Sequence, residues 1–228
     1  MRGYRPLGGG GGGSAELGGL WLPGVSGNHA TTLSTADLQI TGDLDLRVKA
    51  RMSDWSSGGT VTLIAKYASG EGYRLALSAY GVPCLRVYDG SGLQTKCATA
   101  SVPFADGATG WVRATLDADN GASGYDVRFY TSVDGVTWTQ LGTTVTTEGV
   151  IAIGTGSTSL MVGSHSVGTG EMFVGTVFEA QVLDGIEGTL VANPVFESPV
   201  NAWTRDGATA WDGQRVWTIN GSRWEWRA

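Results

Sequence analysis

Residues 43–52 constrain this chain more than any other segment. Leu44, Leu46, Val48, Ala50 and Met52 alternate there with Asp43, Asp45, Arg47, Lys49 and Arg51. Successive side chains of an extended strand leave on opposite faces, so this period of two predicts a strand with one face in a core and the charged face in water. The same rhythm continues downstream. Strands are predicted at 60–67 and 73–79, separated by the turn Ala68-Ser69-Gly70-Glu71-Gly72. At 111–117 Val112, Ala114 and Leu116 share a face, and at 125–130 Tyr125, Val127 and Phe129 do. Later candidates are Val150–Ile153, Ser159–Val162 and Thr176–Leu183. No stretch holds a 3.6-residue period with caps, so a short helical turn is the most that helix can claim.

Strands thus recur about every 10–15 residues with turn chemistry between them, which favours a two-sheet sandwich over a parallel α/β fold. The chain has room for about a dozen, more than a seven-strand immunoglobulin domain uses and enough for a large jelly roll. Charged residues make up only 16% and glycine supplies 37 of 228 positions, a composition suited to strands and tight turns. The expected fold is all-β, one sandwich over 20–228.

Residues 1–19 stand apart. Gly8–Gly13 can bury nothing, which makes this segment a flexible arm whose Arg2, Tyr4, Arg5 and Leu7 are free to dock elsewhere. At the other end, five of the nine tryptophans fall between Trp203 and Trp226. Trp217 and Ile219 alternate with polar neighbours, as do Trp224 and Trp226, so 203–228 reads as closing strands.

The formal charge of −6, with no basic cluster to offset it, argues against nucleic acid. No apolar run is long enough to insert in a membrane, and the first residues lack the apolar core of a secretion signal. Strands 84–88 and 93–97 flank Asp89-Gly90-Ser91-Gly92; a hairpin centred there pairs 88 with 93 and therefore Cys84 with Cys97. A cross-strand disulfide formed in an oxidising medium and a reduced neighbouring pair both fit that placement.

Several runs carry a family resemblance. Leu38–Arg47 with Leu63–Lys66, Gly110–Asp117, Phe129–Trp138, Val182–Pro194 and Val216–Gly221 resemble segments of LamG-like, concanavalin-like jelly-roll domains in actinobacteriophage virion proteins. The resemblance covers about Leu20 to Ala228 and implies a jelly-roll sandwich of two antiparallel sheets. It also implies a minor tail protein or capsid decoration, assembled in the host cytoplasm. Its partners would then be other virion proteins, with a homo-oligomer, by analogy a trimer, as the expected form.

Enzyme chemistry finds little footing. Glycoside hydrolysis needs one protonated and one ionised carboxyl, and the single dense candidate, Asp43 with Asp45, shares its face with Arg47 and Lys49, which keep both ionised. His29 and His165 are the two histidines, in no metal spacing, and no nucleophile elbow occurs. Ser132–Trp138 resembles a sialidase Asp-box one residue short, itself a hairpin-stabilising device. The turn Asp117-Ala118-Asp119-Asn120-Gly121 offers a few calcium oxygens, though ordinary turn propensity explains it as well. For sugar stacking the candidates are Trp55, Tyr80, Tyr88 and Tyr130. The expectation is a non-enzymatic virion protein that contacts host surface glycans; the alternative is a carbohydrate-binding module for cell-wall or surface polysaccharide.

Overall fold

A computed structural model describes residues 18–68, 70–166, 168–197, 209–211 and 215–221. In chain order its strands are β1 (Leu20–Pro23), β2 (His29–Thr32), β3 (Leu44–Arg51), β4 (Val61–Ala68), β5 (Glu71–Leu77), β6 (Pro83–Tyr88), β7 (Leu93–Cys97), β8 (Thr109–Asp117), β9 (Gly124–Ser132), β10 (Thr139–Gln140), β11 (Val145–Glu148), β12 (Leu160–Val162), β13 (Val174–Asp184), β14 (Thr189–Ala192), β15 (Thr209–Trp211) and β16 (Val216–Asn220). The helical contribution among the described residues is one 3-10 turn, Ala36–Leu38. No helix among them is long and apolar enough to cross a membrane.

The described strands form two antiparallel sheets of eight. The first runs β1-β13-β3-β8-β9-β10, with β11 also on β9 and β14 on β13. The second runs β15-β16-β2-β12-β4-β5-β6-β7. Consecutive strands often sit in different sheets, as β2 and β3 do, so their apolar faces close on one interior. Leu44, Leu46, Val48 and Ala50 of β3 meet Leu63, Leu75, Leu85 and Leu160 of the opposite sheet there, all at most 2% exposed. Fully burying each leucine stabilises the fold by about 1.5–3 kcal/mol. Trp217 and Ile219 of β16 point into the same core at 0% and 2% exposure. Trp203, Trp224 and Trp226 lie outside the described residues, as do Arg2, Tyr4, Arg5 and Leu7.

The β6–β7 hairpin has the expected register: Tyr88 opposes Leu93 and Cys84 opposes Cys97. The two sulfurs are bonded. The loop Ser132–Trp138 is closed by Asp134, whose carboxylate accepts from the Val136 and Thr137 amides at 2.8 and 2.7 Å. Those amides and the Ser132 hydroxyl hold its pKa down to about 2.

Two expectations need correcting. The charged face of β3 is not simply solvated, because Asp45 is fully buried. Register explains this: Arg47 stands directly opposite Arg113 of β8, a like-charge pairing that is destabilising by itself. Asp45 accepts from both, at 2.7 Å from Arg47 Nη2 and 2.7 Å from Arg113 Nη2. The β13–β14 turn then seals it, with the Glu187 amide donating to Asp45 at 3.2 Å. Residues 150–153 form no strand. Ile151 and Ile153 are buried as alternation predicts, but their amides donate to Ala118 and Thr41 carbonyls across the end of the sandwich instead of joining a ladder.

Candidate functional site

Register brings together a set of outward-facing side chains on the second sheet. Met161 of β12 stands opposite Thr31 of β2 and Ala65 of β4, while Asn220 of β16 stands opposite His29 of β2. Their strand neighbours Ala30, Leu160, Val162 and Ile219 go to the core, so the pleat turns these outward. With Tyr67 at the end of β4, they floor a cavity of 610 Å³ walled by Ser157–Ser159, Gly27 and Ser166.

The Ser157–Ser159 wall is pinned from below. Lys66 Nζ and Gln39 Nε2 each donate to the Gly156 carbonyl at 2.6 Å, and the Gly156 amide donates back to Gln39 Oε1 at 2.9 Å. The Thr158 amide and hydroxyl both donate to Glu71. A Cβ at 156 would stand 1.1 Å from a Glu71 carboxylate oxygen, so any larger residue there displaces the Glu71 carboxylate. Burial pushes the Lys66 ammonium below its ordinary range, opposed by Glu71. Glu71 is held low by its Thr158 bonds, with Lys66 adding to the effect against a smaller desolvation cost.

His29 is 6% exposed, and Gly168 lies so close that a Cβ would meet its ring at 2.4 Å. Burial depresses its pKa, against a smaller opposing pull from the Gly27 backbone, so the imidazole is neutral at pH 7. The Asn220 amide nitrogen sits 3.3 Å from Nε2; with that group donating, the ring proton rests on Nδ1, which has no hydrogen-bond partner. The Tyr67 ring is clamped on several sides: the Arg74 guanidinium lies 4.9 Å from its centroid, Tyr88 stacks at 5.2 Å and His165 meets it edge-on at 5.6 Å. Burial, then the Tyr88 hydroxyl, pushes the Tyr67 phenol up to about 12.

Among the described residues, the cavity therefore presents hydroxyls, an amide, a neutral imidazole, a thioether and part of an aromatic ring, with no carboxylate on its lining. Such a surface can exchange hydrogen bonds with a polyhydroxylated ligand and cover its apolar C–H face. Its described lining holds no acid–base pair of the kind glycoside hydrolysis requires.

The residues singled out by sequence lie elsewhere. Asp45 is locked between two arginines, and Asp43 accepts from the Ala118 amide at 2.8 Å. Asp119 and Asn120 spend oxygens on the amides of Gly121, Ala122 and Gly124; among the described residues no three histidine, cysteine or acidic side chains are grouped to hold a metal. Trp55 is no stacking platform: it is 2% exposed, packs on Phe104 at 4.9 Å and donates to the Ala108 carbonyl. Tyr80 is 79% exposed on the β5–β6 turn, away from the cavity. Tyr130 is half-buried beneath Arg113, 5.0 Å from its ring. Tyr88 comes nearest, as the ring behind Tyr67. The cavity residues themselves, from position 27 to 220, share no local motif.

No protein-family profile matches this chain, and no curated protein does. Solved structures match the fold. The sialidase module CBM40 of Ruminococcus gnavus, bound to α2,3-sialyllactose, aligns at TM-score 0.53 and 15% identity over 71% of this chain and 89% of its own. A heptameric SAP-like pentraxin of Limulus polyphemus aligns at 0.51 and 15% over 82% and 97%. A protein of Bacteroides ovatus, described as a candidate carbohydrate binder, aligns at 0.55 and 13% over 86% and 58%. At these identities the shared property is architecture: the chain is a jelly-roll sandwich of two antiparallel sheets, as its strand pattern and family resemblance imply.

Proposed function

We propose that this protein is a non-catalytic carbohydrate-binding sandwich, with the sugar taken in the cavity between Tyr67, His29, Asn220 and the Ser157–Ser159 segment. The observation that supports this reading is the cavity's chemistry: uncharged hydrogen-bonding groups beside part of an aromatic ring, on a sheet whose inner side is committed to the core. The carbohydrate-binding architectures that share the fold add to it. The test is a glycan array followed by calorimetry on the purified chain. Saturable binding that weakens about tenfold with Asn220→Ala and is unmoved by Tyr80→Ala supports the site; each lost neutral hydrogen bond is worth about 0.5–1.5 kcal/mol. Binding that survives Asn220→Ala, Thr31→Ala and Ser159→Ala together places the sugar elsewhere.

A role on a phage particle, as a minor tail protein or capsid decoration assembled as a homo-oligomer, is a second reading. It rests on the sequence resemblance, with Arg2, Tyr4, Arg5 and Leu7 as the docking arm. Particles reconstituted with and without residues 1–19 test it: recruitment that needs the arm supports the reading, and absence of the protein from purified particles ends it.

A further inference from the structure

Behind Tyr67 lies a second group of side chains that the sugar cavity does not use. Arg74 of β5 and Arg86 of β6 stand directly opposite each other, and one carboxylate, Glu171, serves both. Its Oε1 lies 3.2 Å from Arg86 Nη1 and its Oε2 3.0 Å from Arg74 Nη2. The second contact is close but misaligned, so Arg74 Nη2 and Glu171 Oε2 are both left without a hydrogen bond, as are Arg74 Nε and Arg86 Nε. Arg74 is fully buried. Glu171 is held in place by its backbone, at φ 42° and with its carbonyl accepting from the Thr62 amide at 2.7 Å.

Among the described residues, the charge count around the cavity does not close. Two guanidiniums face one carboxylate here, and Lys66 and Glu71 cancel beneath the Ser157–Ser159 wall. Burial and Arg86 keep His165 uncharged at neutral pH; His29 and Tyr67 add no charge. One positive charge is in excess, one aromatic ring away from the cavity, on a chain whose formal charge is −6. A buried charge without a full partner acts over several ångströms because little water screens it. The wall it backs is the Tyr67 ring.

We propose that the cavity selects acidic sugars: a ligand carboxylate seated against Tyr67 is the counter-charge that the Arg74–Arg86 pair lacks. The inference rests on the cavity being the sugar site and adds the ligand's class. Glu171 is then an internal competitor, a positioning residue that lowers affinity by partly neutralising the same arginines.

The experiment compares matched ligands on the intact chain. Galacturonate oligomers, hyaluronan tetrasaccharide and 3′-sialyllactose are titrated beside their methyl esters, which keep the sugar and remove the charge. The expected result is that at least one free acid binds tenfold or more tightly than its ester and loses most of that advantage in 0.5 M salt, roughly three times physiological ionic strength. Glu171→Gln should tighten the acid several-fold and leave the ester unchanged, whereas Arg86→Gln should weaken the acid alone. Acids and esters that bind equally, or neutral glycans preferred across an array, overturn acid selection while leaving the sugar site standing. An absence of binding to any glycan overturns both. Unchanged thermal unfolding of the two variants separates these outcomes from misfolding; should Glu171→Gln unfold, Glu171→Asp, which keeps the charge and withdraws it from the pair, should tighten the acid in the same direction.

Discussion

Asp45→Asn isolates the buried charge network on the outer face of the first sheet. The wild-type carboxylate accepts five hydrogen bonds: Arg47 Nε and Nη2 at 3.1 and 2.7 Å, Arg113 Nε and Nη2 at 2.9 and 2.7 Å, and the Glu187 amide at 3.2 Å. Asparagine keeps the shape, removes the charge and turns an amide NH₂ toward two guanidiniums that already face each other. The Arg113 side chain is 4% exposed, and its remaining acidic partner, Glu187, is 70% exposed at 3.3 Å. That weakly screened contact recovers little. Removing one partner of a buried ion pair costs about 3–5 kcal/mol. In a chain of this size, that corresponds to a fall in Tm of roughly 6–20 °C. Urea unfolding followed by tryptophan fluorescence, with calorimetry alongside, measures it. The double variant Asp45→Leu/Arg113→Met should cost less than the sum of its singles by about 2 kcal/mol or more, because it removes the charge along with its partner. A loss below about 1 kcal/mol for Asp45→Asn, with an unchanged denaturant slope, would refute the reasoning.

Three further outcomes follow from the same geometry. Reducing the Cys84–Cys97 bond, which spans a sequence separation of 13, removes a constraint worth up to about 3 kcal/mol for a loop of that length; unfolding with and without dithiothreitol should differ by several degrees, and coincident curves would show that the β6–β7 ladder holds the edge alone. Gly156→Ala pushes the Glu71 carboxylate off the Thr158 amide that it holds, so it should loosen the Ser157–Ser159 wall and cost glycan affinity several-fold in calorimetry, an expectation that full affinity would contradict. Burial lifts the Glu171 carboxyl above its ordinary range against the pull of Arg86, so it gains its proton early as pH falls and leaves the arginines less neutralised, while His165 can only add positive charge. Affinity for a carboxylated ligand should therefore rise as pH falls from about 6.5 toward 4.5, the ordinary values below which His165 and above which Glu171 are displaced, and a dissociation constant that stays flat or grows would count against the arginine pair.

The sequence is legible where one physical rule acts alone. Alternation in β3 and the turn between β6 and β7 place strands, register and the Cys84–Cys97 juxtaposition correctly, since pleat and hairpin geometry depend on nearest neighbours only. Legibility fails where a partner far along the chain decides. Asp45 resembles a solvent-facing aspartate until β8 brings Arg113 beside it. Residues 150–153 carry a strand's alternation but find carbonyls at Ala118 and Thr41 in place of a ladder. Trp55 differs from a surface aromatic only through Phe104 and Ala108. The cavity is the extreme case: His29, Tyr67, Ser159 and Asn220 are joined by the order of strands in the second sheet, which no local spacing encodes.

Strand β16 pairs with β2 through Thr218, Ile219 and Asn220, setting Ile219 beside Ala30. Until residue 220 has left the ribosome, β2 lacks that neighbour and the core lacks the Trp217 indole. Non-local pairings of this kind fold slowly and expose aggregation-prone edges while they wait. Fragments ending before Val216 should collect in inclusion bodies, and a peptide supplying 209–221 in trans should return part of them to solution. The sandwich would then be a lock that shuts last, from its far end.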